Sequence, residues 1–132
     1  MIKRFTIICT IAFAIGFINF LLNPNHPTLG LLEDEIKIGG IAKLSTPLVI
    51  VDARSKVEFE KAHIENAINL SEDSFNSDLG NFLDVWTPES TVLVYCDTEL
   101  CNSSRSIAKR LKEECEIKNV FILKDDWKKW KK

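Results

Sequence analysis

Three short runs dominate the chain: "PLVIVDA" (47–53), "TVLVYC" (91–96) and "NVFIL" (119–123). Each is almost continuously apolar and rich in β-branched residues, without the in–out alternation of a strand that faces water on one side. Such runs suit strands buried on both faces of a sheet. The segments between them are helical in pattern. "SKVEFEKAH" (55–63) opens on Ser55 with Glu58 three residues later, a capping box. "NSDLGNFLDVW" (76–86) spaces Leu79, Phe82, Leu83 and Trp86 as one helix face. "SSRSIAKRLKEEC" (103–115) carries Ile107, Ala108, Leu111 and Cys115 as an apolar stripe. "NAINL" (66–70) reads as a further short strand, and "DDWKKW" (125–130) as a last helix or turn. Strands alternating with helices predict an α/β domain with a largely parallel sheet and helices on both faces. Ligands of such sheets bind beyond the carboxyl ends of the strands. Cys96 stands at one of those ends.

The N-terminus follows a different rule. "MIKRFTIICTIAFAIGFINFLL" places Lys3 and Arg4 before 18 uncharged residues, Phe5 to Leu22. At about 1.5 Å per residue that run spans roughly 27 Å, close to a bilayer's hydrocarbon thickness. "AFA" at 12–14 resembles a cleavage site, but the apolar run continues past it, which favours a retained transmembrane anchor over a cleaved signal. The next cation is Lys37, so the positive-inside rule keeps the N-terminus in the cytoplasm and exports the domain. The expected division is residues 1–22 as anchor, 23–35 as a proline-bearing linker and 36–132 as the globular domain. The single-pass protein then has its C-terminal domain outside the cytoplasm (periplasmic in a bacterium), where thiols oxidise.

Net charge is −2. Lys3 and Arg4 contribute two positive charges, so the remainder carries about −4, which argues against a nucleic-acid partner. "WKKWKK" (127–132) reads as a solvated basic-aromatic tail. No Cys/His grouping has metal-ligand spacing, and no cofactor or metal is expected. His26, between prolines in the linker, receives no role.

Several of these segments together resemble the rhodanese-like sulfurtransferase family. "VIVDARSKVEFEKAHIENAINL" (49–70) is similar to that family's strand, Asp-x-Arg, Glu-Phe and Gly-His-Ile-x-Gly-Ala-Ile-Asn pattern. "VLVYC" with its loop and helix resembles the family's active-site segment, and "KNVFILKDDWKKW" (118–130) its closing segment. The resemblance covers about residues 33 to 130 and implies a rhodanese-like fold. It also implies that Cys96 is a nucleophile that takes a sulfur atom as a persulfide from a small sulfur-containing donor and gives it to a thiol acceptor. Ala62 and Asn66 replace glycines of the pattern, Asp125-Asp126 replaces a Gly-Gly pair, and His63 keeps a structural position.

The expected active-site loop is Asp97, Thr98, Glu99, Leu100, Cys101, Asn102 and Ser103. With Ser104 opening the following helix, as its spacing to Ala108 and Leu111 suggests, it is one to two residues longer than usual for the family. Asp97 and Glu99 set negative charge beside Cys96, which raises a thiol pKa and repels anions. Arg54 and Arg105 are the candidate substrate-binding cations, although Arg54 has an alternative in pairing with Asp52 or a loop carbonyl. Cys101 lies five residues after Cys96, close enough for a disulfide or for resolving an oxidised Cys96. Cys115, on the apolar helix face, reads as packing. Beside the transferase stand two other readings, a non-catalytic binding module on the same fold and a Cys96/Cys101 thiol–disulfide domain. The phosphatases of the fold end their loop on an arginine; at six residues after Cys96 this chain has Asn102.

Overall fold

The computed structural model describes residues 34–44, 47–97 and 102–130. The anchor at 1–22, nearly all of the 23–35 linker and the loop residues Thr98, Glu99, Leu100 and Cys101 lie outside them. Among the described residues no helix is long and apolar enough to cross a membrane.

Five parallel strands form one sheet in the order β1-β5-β4-β2-β3, where β1 is Glu35–Ile36, β2 Leu48–Asp52, β3 Ile68–Asn69, β4 Thr91–Tyr95 and β5 Val120–Leu123. The three apolar runs are thus its central strands, with Leu48 to Asp52 in register with Thr91 to Tyr95. β1 takes in Glu35, the last residue assigned to the linker, so the domain starts slightly earlier than expected. Among the described residues three α-helices connect the strands: α1 Lys56–Lys61, α2 Phe75–Leu83 and α3 Asn102–Glu113.

The two faces of the sheet are covered differently. Odd-numbered β2 residues Val49 and Val51 pack with Val92, Val94, Val120 and Ile122 against Phe75 and Phe82 of α2 and Ile107, Ala108 and Leu111 of α3. The opposite face carries Ile50, Leu93, Tyr95 and Leu123. Its cover is not a long helix but Ile64, Trp127 and two 3-10 turns, Ile38–Lys43 and Trp127–Lys129. The expected pair of helical layers is therefore one-sided: six-residue α1 buries none of its side chains. Leu83, expected on the inner stripe of α2, is 45% exposed because the helix ends there and the chain turns toward Trp86.

The closing segment also departs from expectation. Trp127 is only 7% exposed and its ring packs 5.6 Å from that of Tyr95, and Trp130 is half-buried on the same cluster. This part of the basic-aromatic tail is core, not a solvated end. The substitutions at the family's glycines have local reasons. Asn66 holds φ 63°, the left-handed conformation asparagine tolerates better than most residues. Ala62 has φ −168°, extended backbone that any residue adopts. Asp125 accepts a 2.7 Å hydrogen bond from the Ile38 N–H, and Asp126 caps the last 3-10 turn through the Lys128 N–H.

Candidate active site

Strand alternation sends successive residues at the end of β4 to opposite faces. Tyr95 enters a closed polar cluster; Cys96 enters an open pocket. In the cluster Asp52, with no solvent exposure, accepts from Arg54 Nε at 3.0 Å and Nη2 at 2.6 Å and from the Tyr95 hydroxyl at 2.7 Å. The Tyr95 oxygen in turn accepts from the Ile64 N–H at 3.1 Å. Arg54 further donates to the Ala62 carbonyl at 2.7 Å and to Asp97 at 3.1 Å, and its guanidinium lies 4.5 Å from the Trp127 ring. Asn69 ties the strand ends together by donating to the carbonyls of Asp52 and Arg54.

Burial works against the charge of Arg54, yet the hydrogen bonds and charge of Asp52, aided by Asp97 and Tyr95, outweigh it and raise the guanidinium's pKa. Tyr95 is raised above its ordinary value chiefly by burial, with Asp52 adding to the effect; the Ile64 N–H and Arg54 oppose it. Arg54 thus combines both bonds foreseen as its alternative role, to Asp52 and to a loop carbonyl, while it also reaches the pocket wall.

The pocket, about 490 Å³, is lined by Cys96, Arg54 and Asp97 with Ser103 of α3, and by Ala53, Ser55, Glu58, Ser71, Glu72 and Asp73. Cys96 is 6% exposed and disulfide-bonded. The first turn of α3 forms one wall, where a helix N-terminus favours a thiolate or persulfide anion. Among the described residues that helix runs from Asn102, ahead of the expected Ser104; the loop residues 98–101 before it lie outside the described residues. Asn102 is exposed at the helix's first described position.

Arg105 does not join the site. It projects from α3 toward β1, where Nε and Nη2 donate to buried Glu35 at 3.0 and 2.7 Å, with Lys124 3.4 Å from the same carboxylate oxygen. A helical step of two residues from Ser103 turns Arg105 to another face. Glu58, Ser71, Glu72 and Asp73 were not foreseen. The signal for the last three was "SED" directly after the "NAINL" strand, at the carboxyl edge where parallel sheets bind ligands. Cys115 is half-buried against the main core, a free thiol whose pKa burial pushes up. His63 stacks on Phe59 with centroids 3.9 Å apart, and its Nδ1 lies 2.8 Å from the Phe59 carbonyl, a local structural position. Among the described residues no group of His, Cys, Asp and Glu side chains is placed to hold a metal ion.

A strand-end cysteine facing the first turn of a helix, on a parallel five-stranded sheet, defines a cysteine-centred α/β domain. The chain belongs to the rhodanese-like family, whose domain model matches residues 32–132. Among curated proteins it is similar to the thiosulfate sulfurtransferase GlpE of Coxiella burnetii, with 34% identity over 84 residues covering 64% of this chain and 72% of the relative. Among solved structures it is similar to the BH2092 protein of Bacillus halodurans, with a TM-score of 0.57 and 21% identity over 73% of this chain and 69% of that one. A domain of EanB, solved in complex with hercynine, gives a TM-score of 0.50 and 22% identity over 74% of this chain and 25% of that one. At these identities the two structures support the fold alone.

Proposed function

We propose that the chain is a membrane-anchored sulfurtransferase that carries sulfur as a persulfide on Cys96, between a small sulfur-containing donor and a thiol acceptor. The observation that carries this reading is the placement of Cys96 in the pocket wall beside the first turn of α3, in a domain with a sulfurtransferase relative. The thiolate attacks the outer sulfur of the donor, the donor's S–S bond breaks with its electron pair leaving on the donor residue, and a new S–S bond forms on Cys96. The acceptor thiolate then repeats the attack on that outer sulfur and releases Cys96 as thiolate. Cyanolysis by the reduced full chain, beside Cys96→Ser, tests it. Transfer by the wild type and loss of at least about a hundredfold in the variant is expected, since the thiolate is the nucleophile; equal rates in the two would overturn the role of Cys96.

The anchor and orientation rest on Lys3, Arg4 and the uncharged run after them. A reporter fused after Lys132 is active only outside the cytoplasm, and protease added to spheroplasts removes the domain. Full protection of the domain would reverse the orientation.

A second reading is favoured by the disulfide at Cys96: a thiol–disulfide role in which the oxidised form is the resting state. The five-residue separation from Cys96 makes Cys101 the candidate partner for this role. Peptide mass mapping after alkylation without reduction distinguishes a Cys96–Cys101 bridge from a persulfide or a free thiol.

A further inference from the structure

The pocket around Cys96 is unusual in its charge. Arg54 is the only cation among its described lining residues, and it is already bound to Asp52 and Asp97. Glu58, Glu72 and Asp73 add three carboxylates to the lining, and the cation acting on one of them is Arg110, which lies outside the lining, is paired with Glu114 and interacts with Glu72 through charge alone. Asp97, although partnered by Arg54, has 41% of its side chain exposed. Arg105, the other candidate anion-binding residue, is turned away to Glu35. A dianion approaching Cys96 therefore meets repulsion from the rim, and the Arg54 fork that would grip it is occupied. A cationic ligand meets the reverse.

Resting on the transferase reading above, we propose that this pocket selects its sulfur donor by charge. It takes persulfides whose carrier group is neutral or cationic, such as an aminoalkyl persulfide, and discriminates against thiosulfate. Glu58, Glu72 and Asp73 are the specificity-determining residues. In the favoured step the Cys96 thiolate attacks the outer sulfur of R–S–SH, giving Cys96–S–SH and R–S⁻; one S–S bond forms, one breaks, and no external oxidant is consumed. With thiosulfate the same attack would release sulfite. The disulfide at Cys96 must first be opened by a thiol reductant, which takes up the two-electron oxidation. This donor preference differs from the one in the name of the Coxiella relative.

The test has two arms on the full chain, reduced with dithiothreitol and desalted. The first measures modification of Cys96, located by peptide mass, with aminoethyl and sulfonatoethyl methanethiosulfonate, cationic and anionic reagents of similar size. The cationic-to-anionic rate ratio, normalised to a simple thiol in solution, should exceed one by about tenfold at low ionic strength. It should fall toward one in Glu58→Gln/Glu72→Gln/Asp73→Asn and in high salt, because exposed charges are screened within about 10 Å at 0.1 M. Glu89→Gln, beyond the opposite end of β4, should leave it unchanged. The second arm compares kcat/KM for cysteamine persulfide and thiosulfate. The triple variant should raise the thiosulfate value about tenfold and lower the cationic one severalfold. A normalised ratio of one in the wild type, or no response to the triple variant, overturns charge selection while any measured transfer keeps the sulfurtransferase reading. A charge-dependent ratio with no transfer from either donor overturns that reading and the donor assignment with it.

Discussion

Tyr95 and Cys96 are neighbours in the chain and opposites in environment. Tyr95 has no solvent exposure, and its hydroxyl is held between the Ile64 N–H and the Asp52 carboxylate, beneath Trp127. Cys96 is nearly as buried by area but borders an open pocket with carboxylates on its rim. The closed side spends its charges on one another: Asp52, Arg54 and Asp97 form a chain of ion pairs with little left for a ligand. On the open side the acids outnumber the cations: among the described lining residues Arg54 faces Glu58, Glu72, Asp73 and Asp97. The arginine of the Asp-x-Arg motif therefore acts first as a fastener. It joins β2 to the Ala62 carbonyl after α1 and to Asp97 at the start of the Cys96 loop, and so fixes the frame in which the cysteine sits.

The largest expected effect breaks that fastener. Asp52→Asn keeps the shape of the side chain but removes the charge opposite buried Arg54. Removing one member of a buried ion pair costs about 3–5 kcal/mol, because the remaining charge is left uncompensated. Urea unfolding should show that loss, and Asp52→Asn/Arg54→Leu should recover part of it. A change under about 1 kcal/mol would mean that water reaches Arg54 and that this side is not closed.

Trp127→Ala follows in size. Truncating a buried tryptophan costs about 3–5 kcal/mol where the site cannot collapse, and here the expected loss is at the lower end, about 3 kcal/mol, since the residue lies in a 3-10 turn of three residues. A solvated tail would give a change within about 0.5 kcal/mol. Thermal or urea unfolding decides between them.

These two positions also mark where the sequence was legible. The continuous β-branched runs specify the three central strands because a strand buried on both faces needs apolar residues at every position. The strand end then places Cys96. Trp127 was misread because charge dominates its local composition, although Trp127 and Trp130 are three apart, the spacing of one 3-10 face. Arg105 was misjudged because nothing local to α3 shows that Glu35, seventy positions earlier, would be buried beside it. The acids of the pocket come from segments distant in sequence, and only the register of β2, β3 and β4 brings them together. The short β1 escaped notice because two residues carry no periodicity.

The smallest effect is a titration. Tyr95 is the only tyrosine in the chain, so ultraviolet difference absorbance of the phenolate reports it alone. In the unfolded chain it should ionise near the ordinary value of about 10. In the folded domain burial, reinforced by the hydrogen bond and charge of Asp52, raises the pKa against the opposing Ile64 N–H and Arg54. Between the two values the folded state holds a proton that the unfolded state has released, so stability falls as pH rises through that window. Below the unfolded pKa the contribution is fully present. The native curve should therefore lag the curve in urea, and phenolate should appear together with the loss of folded signal rather than before it. Ionisation at the ordinary value in the folded protein would show that water and hydroxide reach the Tyr95 hydroxyl. The two sides of the strand end would then be equally open, and the contrast between Tyr95 and Cys96 would be one of chemistry alone.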